Sequence, residues 1–297
     1  MKLFKNLRLS ALAALSAMGI FFALALQYSL ENSQPLQPDG KLEVYFLDVG
    51  QGDATLIVCD GEAMLIDAGE NDKGTLVQNH LMAAGIDSLR YMIGTHPDSD
   101  HIGGMDVILY KFHCDTVIMP EFSRDTAAYR DVIDTMKHKG YTNTVPVVGD
   151  SYTLGGATFT ILAPLKTYQD SNNNSVAILL TYGNTRFLFT GDAEEQAEKD
   201  ILATGIPLQA DVYKAGHHGS STSSSKDFLR AVSPTYSVIS CAENNDYGHP
   251  HAEVLNNLRA MGIQVFRTDE QGSIIATSDG ETITWSCSPT DSWLSGR

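Results

Sequence analysis

The chain has 297 residues, enough for one large or two small domains with a substantial core. Hydrophobic content of 43% against 19% charged residues excludes an intrinsically disordered chain. A formal net charge of −16 argues against a protein that grips long nucleic acid or anionic lipid by general electrostatics, a grip that comes from Lys and Arg, although bound divalent metal would reverse the sign locally.

Residues 1–28 read as a signal peptide or membrane anchor. Lys2, Lys5 and Arg8 precede an uncharged apolar run from Ala11 to Leu26. Cleavage near Ala25 would release a secreted protein; an uncut segment would anchor it to the outer face of the cytoplasmic membrane. Residues 29–40 are a polar linker containing Pro35 and Pro38. The remainder, 41–290, reads as one folded domain.

That domain opens with strands over 42–47, 54–59 and 63–66, the last two joined by an Asp60-Gly61 turn. A helix over 74–85 and a buried strand over 90–94 follow. Next come a helix over 104–112, a strand over 116–119 and an amphipathic helix over 124–139. Short strands are expected at 144–148, 157–162, 176–182 and 186–190. The last third alternates: helix 193–204, strand 211–214, helix 224–231, strand 235–240, helix 251–261, then strands at 263–266, 272–277 and 282–286. Strands and helices recur in both halves, which suits an α/β (α+β) chain with two facing sheets and helices outside. The four cysteines form no CxxC pair, and three of them lie in apolar strand-like runs. Buried free thiols are the expectation.

Four strand-end loops carry the chemistry. Thr95-His96-Pro97-Asp98-Ser99-Asp100-His101 places four ligand-type side chains within six residues after an apolar strand. Imidazole suits zinc and iron, and carboxylates add hard oxygen donors that accept manganese. Gly103-Gly104 then permits close backbone approach as a helix begins. The bland reading, a polar turn with an Asp N-cap, accounts for one His–Asp pair but not for four ligand types. Phe187-Leu188-Phe189-Thr190-Gly191-Asp192 ends a strand on Asp192, either a helix N-cap or a carboxylate bridging two metals. Lys214-Ala215-Gly216-His217-His218-Gly219 puts adjacent histidines in a turn; neighbours should point apart, leaving one on metal and the other on substrate or behind a ligand. Tyr247-Gly248-His249-Pro250-His251 offers a general acid or substrate contact, His249 or His251, against the alternative of a surface turn.

Together these loops resemble the metallo-β-lactamase superfamily, with Asp98 in the second His position of its HxHxDH motif. More narrowly, Phe46-Leu47-Asp48-Val49-Gly50-Gln51-Gly52-Asp53-Ala54 resembles the signature of the extracytoplasmic metallo-β-lactamase-like domain of ComEC competence proteins. The likeness runs over about residues 42–287, with the other motifs in the same order. It implies an αββα sandwich and two divalent metal ions. By position, His96 and Asp98 would hold one metal, Asp100 and His101 the other, and Asp192 would bridge. Either His217 or His218 would complete the second set; His217 is assigned to metal, and His218 with Asp100 to catalysis. No suitable middle histidine precedes Asp192, since only His113 and His138 lie in that interval and neither sits at a suitable strand start. Asn173-Asn174-Ser175 matches the family at that point, so Asn174 is expected as a weak ligand. Asp48, Gln51, Asp53 and Asp67 would line or brace the rim, and Lys214 would face developing negative charge.

The expected activity is metal-dependent hydrolysis of a phosphodiester-containing or nucleic-acid-derived substrate, with Zn2+ or Mn2+ lowering the pKa of a bridging water. Manganese is a rival to zinc because the first site is rich in oxygen. A lactamase or lactonase attacking a carbonyl is the alternative on the same scaffold. A purely structural metal is disfavoured because no cysteine lies in a ligand loop. With at most one apolar segment, the expectation is a free-standing exported hydrolase rather than a channel. No protein partner is indicated.

Overall fold

The computed structural model describes residues 40–296. The expected signal peptide or anchor and nearly all of the expected linker lie outside them, and within them no helix is long and apolar enough to cross a membrane.

Fifteen strands form among the described residues: β1 (Leu42–Phe46), β2 (Thr55–Cys59), β3 (Glu62–Ile66), β4 (Ser88–Ile93), β5 (His113–Ile118), β6 (Asn143–Thr144), β7 (Ser151–Leu154), β8 (Ala157–Ala163), β9 (Ala177–Tyr182), β10 (Thr185–Phe189), β11 (Val212–Lys214), β12 (Tyr236–Ile239), β13 (Gln264–Arg267), β14 (Ile274–Ser278) and β15 (Ile283–Trp285). One sheet runs β15-β14-β1-β2-β3-β4-β5-β6 and the other β13-β12-β11-β10-β9-β8-β7. The hairpin between β2 and β3 turns at Asp60 and Gly61, with φ of 47° and 86°. Positive φ at both central residues matches the strand twist.

Each sheet is mixed. β3 to β6 are parallel, and so are β10 to β13, while the remaining neighbours are antiparallel. Parallel strands need crossovers, which the helices supply. Between the sheets lies an apolar layer that includes Phe46, Ile57, Met64, Tyr91, Phe159, Leu180, Phe187, Phe189, Val238 and Phe266. Side chains one residue along each strand face outward. There Leu188, Tyr213, Ile239 and Val265 meet Ile201, Phe228, Leu229 and Leu255 of helices α5 (Glu195–Ala203), α6 (Lys226–Val232) and α7 (Ala252–Ala260). Beside the first sheet, α1 (Gly74–Ala83), α3 (Met105–Lys111) and α4 (Ala127–Lys139) bury Val77, Leu81, Met105, Ile108, Val132 and Met136. The architecture is the expected αββα sandwich. Two single-turn helices, α2 (Ser99–Ile102) and α8 (Thr268–Gln271), complete it.

Local signals set the boundaries. Thr126 caps α4 by accepting from the Tyr129 amide, and Gly140 ends it at φ 77°. The strand expected over 144–148 shrinks to β6, because Pro146 lacks the N–H that a ladder needs. β7, α2 and α8 are too short for a periodicity to announce them. Cys59, Cys114 and Cys241 are buried, and Cys114 and Cys241 carry free thiols.

Phe46 is fully buried, stacked 6.2 Å from Phe189 across the sandwich and 6.5 Å from Trp285 of its own sheet. Phe46→Ala is expected to cost about 3–5 kcal/mol, as for other large-to-alanine changes in cores. A fall in the urea midpoint at unchanged m-value checks it.

Candidate metal centre

Parallel strands deliver their C-terminal loops to one rim. The loop after β4 carries Thr95 to His101, that after β10 carries Asp192, that after β11 carries His217 and His218, and that after β12 leads to His249. Asp67 directly follows β3, and Asp53 stands just before β2, which runs antiparallel and so starts at the same rim.

Four histidines turn their Nε2 atoms toward Asp192. His96 lies 4.0 Å, His217 3.6 Å and His218 3.4 Å from its Oδ2, and His101 lies 3.2 Å from its Oδ1. Hydrogen bonding at the other ring nitrogen fixes each tautomer. His101 Nδ1 donates to Asp67 at 2.8 Å, and His218 Nδ1 donates to the Ser240 carbonyl at 3.0 Å. Thr95 gives its hydroxyl proton to Asp67, so its oxygen accepts from His96 Nδ1 at 3.2 Å. Thr222 likewise donates to Glu194 and accepts from His217 Nδ1 at 3.2 Å. Every Nε2 lone pair is thereby left facing the same point.

Two donor sets share Asp192. His96 Nε2 stands 3.9 Å from Asp98 Oδ2. Asp98 is held from behind: its Oδ1 accepts from Arg124 at 2.7 Å and from Ser171 at 2.6 Å. It occupies the N-cap position of α2 without capping it. Asp192, the other N-cap candidate, lies before the cap of α5, which is Glu194. In the second set, Asp100 Oδ2 is 3.3 Å from His218 Nε2, and the Nε2 atoms of His101 and His218 are 3.3 Å apart. Donor atoms sharing one ion at bonds of about 2.0–2.2 Å sit at such separations.

The residues fit divalent cations. Buried His96 Nε2 has no hydrogen-bond partner, and such groups ordinarily find one. The unprotonated Nε2 atoms of His101 and His218 would repel each other at 3.3 Å unless a proton or a metal lay between them. Without metal the cluster takes protons. Burial pushes the His101 ring down, but Asp192, Asp67 and Asp100 raise it well above its usual value. Burial opposes charge on His218 too, yet Asp192 and Asp53 push its pKa up to about 10. Conversely, burial raises Asp192 and Asp100, and the histidine charges pull both below the carboxylate range.

Asp53 is buried within reach of His101, Asp192 and His218. It nevertheless faces Nδ1 of His218 at 3.6 Å, the nitrogen turned away from the cluster, and pairs with Lys214 at 2.8 Å. It therefore braces His218. Burial raises its carboxyl, but the charges of Lys214 and His218 outweigh that and leave it below its usual value.

Several expectations are corrected. Lys214, expected to face developing negative charge, is buried, donating to Asp53 and to the Ala215 carbonyl. Asn174, expected as a ligand, spends its amide on the backbone of Tyr168 and Asp170. His251, a catalytic candidate, accepts from the Ser221 amide at 2.9 Å and contacts the Tyr247 carbonyl at 3.2 Å, so both nitrogens are engaged away from the cleft. His217 and His218 do not point apart, because both adopt left-handed backbone, with φ of 49° and 54°. Asp48 accepts from the Gly50 amide within its own turn. Asp67 braces His101, and Gln51 reaches the rim. Arg124 and Ser171, which hold Asp98, carried no motif signal.

A cleft of about 110 Å³ opens over the cluster, lined by Asp98, Asp100, Asp192, His217 and His218 together with Gln51, Asn172, Tyr247 and His249. A larger cleft of about 370 Å³ lies beside the Ser221–Ser225 loop but gathers no metal-ligand cluster. In the smaller one, burial and the neighbouring histidines depress His249 to about 3, so it is neutral near pH 7. Gln51 Nε2 lies 3.4 Å from its Nδ1, which assigns the proton to Nε2.

The description "Metallo-beta-lactamase superfamily" belongs to the family model that matches residues 47–243. The chain belongs to the metallo-β-lactamase superfamily. Its competence-protein relatives fit the ComEC-like motifs. It is 30% identical over 255 residues to ComE operon protein 3 of Bacillus subtilis, spanning 78% of this chain and 32% of that one. It is 33% identical over 238 residues to Recombination protein 2 of Haemophilus influenzae, spanning 78% of this chain and 28% of that protein. The chain thus spans about a third of the length of such relatives. Among solved structures, Igni18, a metallo hydrolase from Ignicoccus hospitalis, aligns with TM-score 0.53 at 12% identity, covering 79% of this chain and 98% of that one, which supports the fold alone.

Metal binding must displace the protons that His101 and His218 hold in the metal-free protein. Affinity for Zn2+ or Mn2+ is therefore expected to rise with pH from 6 toward about 10, the His218 value, and titration calorimetry in buffers of differing ionisation enthalpy should detect proton release. Asp67→Asn, which weakens the brace on His101, is expected to lower metal affinity about 10–100-fold, measured by competition with a chromogenic chelator.

Proposed function

We propose that the centre hydrolyses phosphodiesters with two divalent ions, Zn2+ or Mn2+, held by His96, Asp98, Asp100, His101, Asp192 and the His217–His218 pair. The observation that carries this reading is the convergence of four imidazoles and three aspartates on a cleft that is also lined by amide and imidazole side chains. Bound divalent ions would supply Lewis acidity and a nucleophilic water at neutral pH.

The chain's own groups do the rest. Asp98, Asp100 and Asp192 provide negative charge to offset the ions. Gln51 Nε2, which donates one hydrogen to His249, and Asn172 Nδ2, which donates one to Glu194, each keep a second N–H for the non-bridging oxygens of a phosphate. His249 is neutral and presents Nε2–H, so it serves as a donor to phosphate oxygen rather than as a general acid. The cleft, at about 110 Å³, is far below the roughly 300–1,000 Å³ that encloses a drug-sized ligand. It suits a phosphodiester link whose flanking groups remain outside. Its polar lining supplies no enclosed apolar site for a bicyclic lactam.

The net charge of −16 favours a small or single-stranded substrate over tight duplex binding. The N-terminal basic and apolar pattern supports export, with the centre working beyond the cytoplasmic membrane. Fractionation of cells expressing the tagged full chain tests that placement.

The metal-loaded protein is expected to hydrolyse bis-p-nitrophenyl phosphate and to lose that activity in EDTA. His249→Ala should lower kcat about 100-fold without changing metal content. Turnover of nitrocefin or a homoserine lactone in place of every phosphodiester would replace this reading with the carbonyl-hydrolase one.

A further inference from the structure

Tyr247 is not needed for any step above. Its side chain lines the cleft, yet it is 65% exposed. Its ring lies nearly parallel to that of His249, 17° apart with centroids at 5.6 Å. The loop beneath it is tightly tied. Asn245, only 7% exposed, donates to the Ala242 carbonyl at 2.9 Å and to the His249 carbonyl. Its Oδ1 accepts from the amides of Tyr247 at 3.2 Å and His249 at 2.9 Å. Gly248 completes the turn at φ 73°. A buried amide thus holds the backbone that carries Tyr247, whose ring, packed beside His249, stays exposed to water next to the metal ligands. A ring so exposed adds little to the fold, but it is ready to meet whatever extends out of the cleft.

Charge around the cleft narrows what that is. Arg124 is engaged by Asp98 at 2.7 Å and Lys214 by Asp53 at 2.8 Å. The carboxylates of the cluster and the acidic chain give a polyanion little further attraction. A strand held there must draw affinity from a non-ionic contact. Stacking of a base on an aromatic ring provides one, tolerates any sequence, and requires a base outside a duplex stack. A polyol phosphate has no planar group and would gain nothing from this ring.

We propose that Tyr247 is a stacking platform for a nucleobase beside the scissile phosphate, and that the substrate class is single-stranded nucleic acid. The proposal rests on the phosphodiesterase reading. Tyr247 sets specificity, and the metal cluster remains independent of it.

The test uses the full-length, metal-loaded protein and fluorescein-labelled pentathymidylate with hydrolysis-resistant phosphorothioate links, beside the same strand carrying abasic tetrahydrofuran residues. Anisotropy should show about tenfold tighter binding of the base-bearing strand, a difference of ~1.4 kcal/mol. Tyr247→Ala should abolish that ratio at unchanged metal content, and Tyr247→Phe should keep it. Equal affinity for the two strands, or a ratio that survives Tyr247→Ala, overturns the proposal. So does faster cleavage of a glycerol phosphodiester than of unmodified pentathymidylate. If strands bind with the expected ratio but no phosphodiester is cleaved, the catalytic reading fails and the stacking surface stands. Cleavage at equal rates with and without bases does the reverse.

Discussion

A buried carboxylate that four imidazoles face is the constraint on which the rest of the structure depends. Asp192 is 3% exposed, and Asp53 and Asp67 are buried close by. Negative charge at that density, away from water, is tolerable only beside positive charge. The chain can meet the demand with protons on His101 and His218 or with metal ions on their Nε2 atoms. Both solutions need each ring held in one orientation, so the outer partners Asp67, Thr95, Ser240 and Thr222 are as necessary as the inner donors.

Backbone geometry satisfies the same constraint. His217 and His218 can both face Asp192 only because consecutive residues sit in the left-handed region, a conformation that costs free energy for any residue with a Cβ. Gly52 passes so close to the ligand loop that an added Cβ would lie 2.3 Å from the Asp100 carbonyl. That approach lets the Asp53 amide donate to the same carbonyl at 3.0 Å. The loop carrying Asp100 and His101 is thereby tied to the start of β2, and its donors are held in place before any ion arrives.

Much of this was legible in the sequence. Alternating apolar runs located most strands to within about two residues, and His96, Asp98, Asp100, His101 and Asp192 meet as the motif order implied. The failures have physical causes. Lys214 looked like a free cation because its partner Asp53 lies 161 positions away. Asn174 looked like a donor because a sequence does not show that an amide is already bonded to backbone nearby. The His217–His218 pair was misjudged by assuming ordinary backbone angles. Arg124 and Ser171 carry no local signature, since only the folded loop brings them to Asp98.

The donor set is divided between the two layers of the sandwich. His96, Asp98, Asp100 and His101 hang from the sheet containing β4, whereas Asp192, His217 and His218 hang from the sheet containing β10 and β11. Any ion bridging these groups is a clasp across the seam, and the layers cannot part without releasing it. Its grip adds to the cohesion of the apolar layer by RT ln(1 + [L]/Kd), about 2.7 kcal/mol when free metal is a hundredfold above its dissociation constant. The lifetime of the folded chain thus becomes a function of the metal content of its surroundings, and scarcity of the ion would shorten that lifetime as well as silence the chemistry.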